Sequence, residues 1–484
     1  MSTYLRRLLS TGAAYQVADV VSKVIALALL PVYTRELSRG DYGTAELLLT
    51  VVILGSIVVR LGVGEALVRF HYLDADPERR RRLARTATGV LLATTTLAAG
   101  AMTIFAGPFS ELLLGDRRPG VVRAAALGLW AFTNLELAYA LLRVDERSRE
   151  YATAALVNVA LTVALTLWLV VARDEGALGL LLGNFAASAV VLLGLWVRLR
   201  DALGPVDRSM LGGMLRFGLP TVPAEVSVFA LFFVDRLYLY RVAGEAEAGL
   251  YSLSIKLAAV VIFTVRAFQY AWPPLAYSIA DDDEARRVYA RITTYYVLFT
   301  GLVVAGLALL GRWVVRLLAA PAFFDAHEAL PWVGLGWALY GLFLVLVAMA
   351  GRAQVTVRNL PAALCGLAAN VVLLVVLVGP LGIAGAGIAL CGAYAVMLVA
   401  MYLLTRSLFR VDFEWLRLGL VVAVAGGLTV LGELVAPSEG ADGFAARALL
   451  LAAILPALWA CGFFRSGEID GVRRLAGRVR GRVA

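Results

Sequence analysis

Apolar residues in this chain do not alternate with polar ones at the period of a half-buried strand, nor fall on one stripe of an amphipathic helix. They come in nearly unbroken runs of about twenty. Such a run, coiled as a helix, crosses the ~30 Å of hydrocarbon in a bilayer. Segments such as LVNVALTVALTLWLVVA, Leu156–Ala172, are apolar all round, where a soluble helix would keep a polar face. Runs lie near residues 11–35, 44–68, 86–107, 120–142, 151–172, 177–198, 212–240, 248–275, 292–318, 330–351, 359–379, 383–405, 414–435 and 445–464, and they predict an all-α polytopic membrane protein with about fourteen spans. The intervening loops are short, so activity is expected inside the membrane and not in a separate catalytic domain. The chain's first apolar stretch carries Asp19 and Lys23 and lacks a small-residue cleavage site, so it reads as a first span and not as a removed signal.

Composition agrees with this reading: 61% of the residues are hydrophobic and 16% charged. The charge is also distributed unevenly. Arg6 and Arg7, the run Arg79–Arg82, the stretch Arg143–Arg149, then Arg198, Arg200 and Arg208, Arg286 and Arg287, Arg352 and Arg358, and Arg406 and Arg410 fall at the N-terminus and on alternate loops. The opposite loops carry fewer, chiefly Arg35, Arg39, Arg117, Arg118, Arg173 and Arg241. Positive residues stay on the cytoplasmic side, so both termini are expected there. The net charge of +9 then needs no nucleic-acid partner, and the tail RRLAGRVRGRVA serves orientation, with contact to anionic lipid as the alternative.

The chain also repeats. A shift of 206 residues places Gly12 on Gly218, Asp19 on Glu225, Arg35 on Arg241, Gly43 on Gly249, Arg60 on Arg266 and Asp76 on Asp282. An even number of spans separates the copies, which makes them parallel repeats about an axis normal to the membrane. Two six-helix lobes are expected, residues 1–204 and 205–407, followed by two further helices and a basic tail over 408–484. A cavity between two such lobes, opening to either side in turn, is the architecture of a transporter.

The stretches LLPVYTRELSRGDYG (Leu29–Gly43), RLGVGEALVRF (Arg60–Phe70), VDRLYLYRVAGEAEAGLYSLSIKLA (Val234–Ala258) and ANVVLLVVLVGPLGIAGAGIAL (Ala369–Leu390) resemble bacterial polysaccharide flippases. These belong to the multidrug/oligosaccharidyl-lipid/polysaccharide exporter superfamily. The resemblance covers the whole chain in length and span number. It implies a protein of the bacterial cytoplasmic (inner) membrane that moves undecaprenyl-pyrophosphate-linked oligosaccharide from the inner to the outer leaflet for cell-surface polysaccharide assembly. It also implies membrane lipid, polysaccharide polymerase and glycosyltransferases as partners.

Ionisable residues inside spans are costly and mark function by default. Lys23, Arg60, Arg236, Lys256 and Arg266 are the basic ones, and Lys23 and Lys256 are the only lysines in the chain. A lipid pyrophosphate cannot cross hydrocarbon unpaired, and guanidinium and ammonium groups offer it donors, so these five are candidate cavity residues. For Arg60 and Arg266 the alternative is snorkelling to the interface; for Lys23 it is a pair with Asp19 four residues earlier. Asp19 and Glu225 occupy matching places in the repeats and are candidates for coupling to H+ or Na+. A Glu225–Arg236 ion pair is the competing arrangement, since eleven residues return to nearly the same helix face. Glu46, Glu65, Glu136 and Asp235 read as gating or pairing residues. Pro220 and Pro223 are expected to bend span seven, and Pro273 and Pro274 to end span eight.

No catalytic constellation emerges. Cys365, Cys391 and Cys461 lie in apolar runs without paired spacing, and His71 and His327 lack metal-ligand spacing. A phosphate-binding glycine loop and a nucleophile elbow are also missing. No enzyme activity, metal or cofactor is therefore expected. A membrane glycosyltransferase or polymerase would need longer loops, and a multidrug/cation antiporter of the same superfamily a more acidic interior. A lipid II flippase relative shares every feature above and stays open.

Overall fold

In hydrocarbon every backbone N–H and C=O must be satisfied within the protein, and a helix achieves this inside a single segment. The computed structural model describes residues 21–73, 76–279, 281–352 and 358–465, and the regular elements among them are helices. After a helical stretch at residues 21–28 they are α1 (Leu30–Glu36), α2 (Arg39–Val59), α3 (Val63–Leu73), α4 (Pro77–Ile104), α5 (Ala106–Leu114), α6 (Pro119–Val144), α7 (Ser148–Leu167), α8 (Gly176–Arg198), α9 (Arg208–Gly218) and α10 (Val222–Val242). Then come α11 (Glu245–Leu257), α12 (Ala259–Ser278), α13 (Asp282–Leu318), α14 (Leu330–Arg352), α15 (Asn359–Thr405), α16 (Trp415–Val435) and α17 (Gly440–Ala460). Among the described residues eleven helices are long and apolar enough to cross a membrane, or twelve if the bent pair Glu245–Leu257 and Ala259–Arg266 is one span. One of the eleven, α15, is 47 residues long and turns at Gly382, where φ is 54°, so its two arms match the predicted runs 359–379 and 383–405. The predicted run 11–35 begins outside the described residues.

Helix starts follow local chemistry. The Ser38 hydroxyl accepts from the Asp41 amide at 3.0 Å at the head of α2, and the Asp76 carboxylate accepts from the Glu78 amide at 3.1 Å, with Pro77 following as a first helical residue. Two interruptions differ from expectation. The run 44–68 is not one helix: α2 stops at Val59, and Leu61 and Gly62 take left-handed φ values of 51° and 67° before α3 begins. Span eight does not end at Pro273 and Pro274, because α12 continues to Ser278; each proline withholds only the one N–H that the carbonyl four residues earlier would accept. It breaks instead at Ala258, with a 46° bend. Pro220 and Pro223 do interrupt span seven, Pro220 within the 3-10 turn Leu219–Thr221 between α9 and α10 and Pro223 in the first turn of α10.

By packing, the chain forms two compact units, one of residues 1–253, 318–326 and 370–386, the other of 254–317, 327–369 and 387–484. This is a partition by contact, whereas that at 204 and 407 is one by repeat, and the start of the second repeat packs on the first within the first unit. At the centre of that unit α6 is buried along nearly its whole length, with Leu135, Leu142, Leu192 and Leu195 in one apolar cluster. In the second unit α16 and α17 pack on α13 through Leu298, Val421, Ile454 and Leu458. Buried arginines anchor both helices. Arg417 donates to Glu414 at 2.8 Å, as does Thr294, while Arg447, 1% exposed, pairs with Glu433 and donates to the Pro437 carbonyl at 3.1 Å.

Candidate functional site

Helices α2 and α10 run antiparallel within the first unit, and three polar rungs join them. At the first, the Thr44 and Tyr240 hydroxyls are 2.8 Å apart, and Glu245 Oε2 accepts from both, at 3.2 and 3.1 Å, and from Arg118 Nη1 at 2.7 Å. At the second, Arg236 donates to the Thr50 hydroxyl and lies 3.7 Å from Glu46 Oε2, the two charged side chains being 13% and 4% exposed. At the third, Arg60 Nη2 donates to Glu225 Oε1 at 2.9 Å, with side chains 22% and 41% exposed. Partners rise in number along α2 as they fall along α10, so the two helices keep register over their length.

The third rung carries the most chemistry. Arg60 caps the C-terminus of α2, where its charge also complements the helix dipole. Around it the carboxylates of Glu225 and Glu136 act on its charge, and Glu65 acts on Glu225. Yet the Arg60 Nε donor and the Glu65 Oε2 acceptor are both buried with no hydrogen-bond partner among the described residues. A buried unpaired donor is costly. Here it leaves one guanidinium donor unused beside the Glu225 pair. Arg236 Nε is in the same condition.

The structure therefore places the candidates as follows. Arg60 and Glu225 meet; Arg236 sits between them and the Glu245 rung. The Glu225–Arg236 pair does not form: eleven residues return to one face but separate the two side chains by ~16 Å along the axis, and each takes a partner on α2 instead. Glu46 pairs as expected, and the buried Asp235 accepts from the Tyr251 hydroxyl at 3.1 Å. Lys256 and Arg266 belong to the second unit, half-buried Lys256 just before the Ala258 break and exposed Arg266 two turns after it, beside Tyr340. Lys23 is half-buried in the helical stretch that opens the described chain, and Asp19 lies outside the described residues. The sequence reading passed over Thr44, Thr50, Tyr240, Glu245 and Arg118. A hydroxyl in an apolar run at helical spacing from a glutamate, as Thr50 is from Glu46, was the available signal.

Residues 32–327 match the family described as polysaccharide biosynthesis protein, which is more than half of the chain. The chain belongs to that family. The resemblance read from the motifs agrees with this match at the level of polysaccharide biosynthesis. A Haemophilus influenzae relative, Lsg locus putative protein 1, is 24% identical over 278 residues, 54% of this chain and 64% of its own length. Less than two thirds of that relative is thus spanned. The fold is similar to that of the lipid II flippase MurJ in an inward closed conformation, with a TM-score of 0.75 at 10% identity over 94% of this chain and 99% of that one. It is also similar to an inward-facing multidrug resistance MATE family transporter of the MOP superfamily, with a TM-score of 0.66 at 17% identity over 83% and 95% of the two chains.

Proposed function

We propose that this protein translocates undecaprenyl-pyrophosphate-linked oligosaccharide from the inner to the outer leaflet of the bacterial cytoplasmic membrane by alternating access, supplying units for cell-surface polysaccharide. The observation that supports this best is the Arg60 guanidinium, held by Glu225 on one side and carrying a buried, unbonded donor on the other. A diphosphate presents several acceptor oxygens in the geometry a guanidinium fork meets. In this reading the head group binds Arg60 first through the idle Nε–H, then displaces Glu225, while the polyprenyl chain stays in lipid. Arg236 and Lys23 in the first unit, and Lys256 and Arg266 in the second, are the further candidate cations for the head group, which cannot cross hydrocarbon unpaired. Glu225, once released, and its repeat counterpart Asp19 are the groups for H+ or Na+ coupling. In this reading both termini lie in the cytoplasm, where glycosyltransferases complete the substrate, and the polymerase takes it over on the other side.

In cells lacking the protein, lipid-linked units are expected to accumulate in the cytoplasmic leaflet, measured as resistance to a periplasm-added glycosidase in spheroplasts that disappears on permeabilisation. Equal access in deleted and complemented cells would contradict the proposal. Coupling has its own test. In proteoliposomes the Asp19→Asn/Glu225→Gln double variant is expected to transport at one rate with or without an ion gradient, whereas the unchanged protein slows when the gradient collapses. Retained gradient dependence in the double variant would remove both carboxylates from the coupling path.

A further inference from the structure

The two repeats touch at both ends of the α2 seam, and glycines make each contact possible. At the N-terminal end of α2, a Cβ built on Gly43 would overlap the Glu245 carbonyl oxygen and stand 2.8 Å from the Gly249 amide nitrogen. A Cβ on Gly249 would overlap the Arg39 carbonyl oxygen and stand 3.2 Å from the Gly43 nitrogen. Gly43 and Gly249 are repeat equivalents, so α2 and α11 meet across the repeat axis, and the Glu245 cluster of Thr44, Tyr240 and Arg118 surrounds the contact. At the other end, a Cβ on Gly62 would overlap the Gly218 carbonyl oxygen and one on Gly218 the Gly62 carbonyl oxygen, beside the Arg60–Glu225 pair. This second contact is not symmetric, because the repeat equivalent of Gly62 is Phe268. The two contacts lie at either end of the 21-residue helix α2, which is roughly 30 Å long and close to the thickness of the hydrocarbon.

We infer that the Gly43–Gly249 and Gly62–Gly218 contacts are two separate gates of the seam, the first closing it toward the outer face and the second toward the cytoplasm, and that each can be unseated without the other. Backbone against backbone leaves no flexible side chain to move aside, so an added methyl group must push the helices apart. The polar cluster at each gate is then the latch: Glu245 with three donors at the outer gate, Glu225 with Arg60 at the inner one. Loss of one gate shifts the population toward the state open on that side. The inference rests on the translocation reading only in taking this seam as a wall of the path; it concerns conformation in the absence of substrate.

The test uses the full-length protein in membranes, with Cys365, Cys391 and Cys461 replaced by serine and Thr50→Cys as reporter between the gates. Labelling by a membrane-impermeant maleimide is measured from the outer face in right-side-out vesicles and from the inner face in inverted ones. Gly249→Ala is expected to raise outer labelling on the order of tenfold and leave inner labelling unchanged, and Gly218→Ala to do the reverse. Gly62 is a poor choice because its φ of +67° strains any replacement in every state. Variants that reach normal abundance but shift both sides together, or neither, overturn the inference. Should either alanine variant fail to accumulate, Glu245→Gln for the outer gate and Glu225→Gln for the inner decide the same question, and absence of one-sided labelling there overturns it equally. A negative result leaves the substrate reading intact, since no substrate enters the measurement.

Discussion

Arg236→Met is expected to lower the stability of the folded protein by about 3–5 kcal/mol, the usual cost of removing one member of a buried ion pair. Glu46, 4% exposed, would lose the cation that faces it, and Thr50 would lose its donor. Most of the loss comes from a buried carboxylate left without the Arg236 charge and not from a strong attraction in the pair. Adding Glu46→Gln should therefore recover most of it, and the double variant should be more stable than Arg236→Met alone. Thermal unfolding of the detergent-solubilised protein, followed by size-exclusion recovery after heating, measures both. Additive losses in the double variant would show that the second rung is not an energetic unit.

Arg60→Gln is expected to cut polymer export by roughly tenfold to a hundredfold, the effect of losing a charge-assisted hydrogen bond to a phosphate. Export is measured by complementation of a deletion, with membrane abundance checked in parallel. Arg266→Gln should act in the same direction, because the repeat gives it the corresponding place in the second copy. Its surroundings differ: Arg266 is exposed and Arg60 is held by Glu225. The Arg266 variant should thus leave stability unchanged, whereas Arg60→Gln frees Glu225 and loosens the third rung. Normal export by both variants would return the two arginines to a purely interfacial role.

How much of this was legible in the sequence depended on the range of the interaction. Run length fixed the membrane class, because the bilayer imposes one length on every span. The repeat aligned Gly43 with Gly249 by numbering; that the two also touch in space is seen only in the structure. Ion-pair partners were not legible. The spacing of Glu225 and Arg236 described a helix face correctly but ignored the distance along it, and the true partners, Arg60 and Glu46, depend on the antiparallel register of α2 against α10. Helix breaks were half legible. Gly62 and Gly64 in RLGVG were a visible warning for the end of α2, while the bend at Ala258 has no glycine or proline beside it to announce it.

The central claim is that an anionic lipid-linked saccharide crosses beside the Arg60–Glu225 rung. Its most direct test is purified protein in proteoliposomes loaded with undecaprenyl-pyrophosphate-linked oligosaccharide in one leaflet, with arrival in the other read by an added glycosidase. The account predicts translocation by the unchanged protein, competition by a short-chain polyprenyl pyrophosphate, and at least about tenfold slower transfer with Arg60→Gln. Equal rates in Arg60→Gln and in the unchanged protein would contradict it.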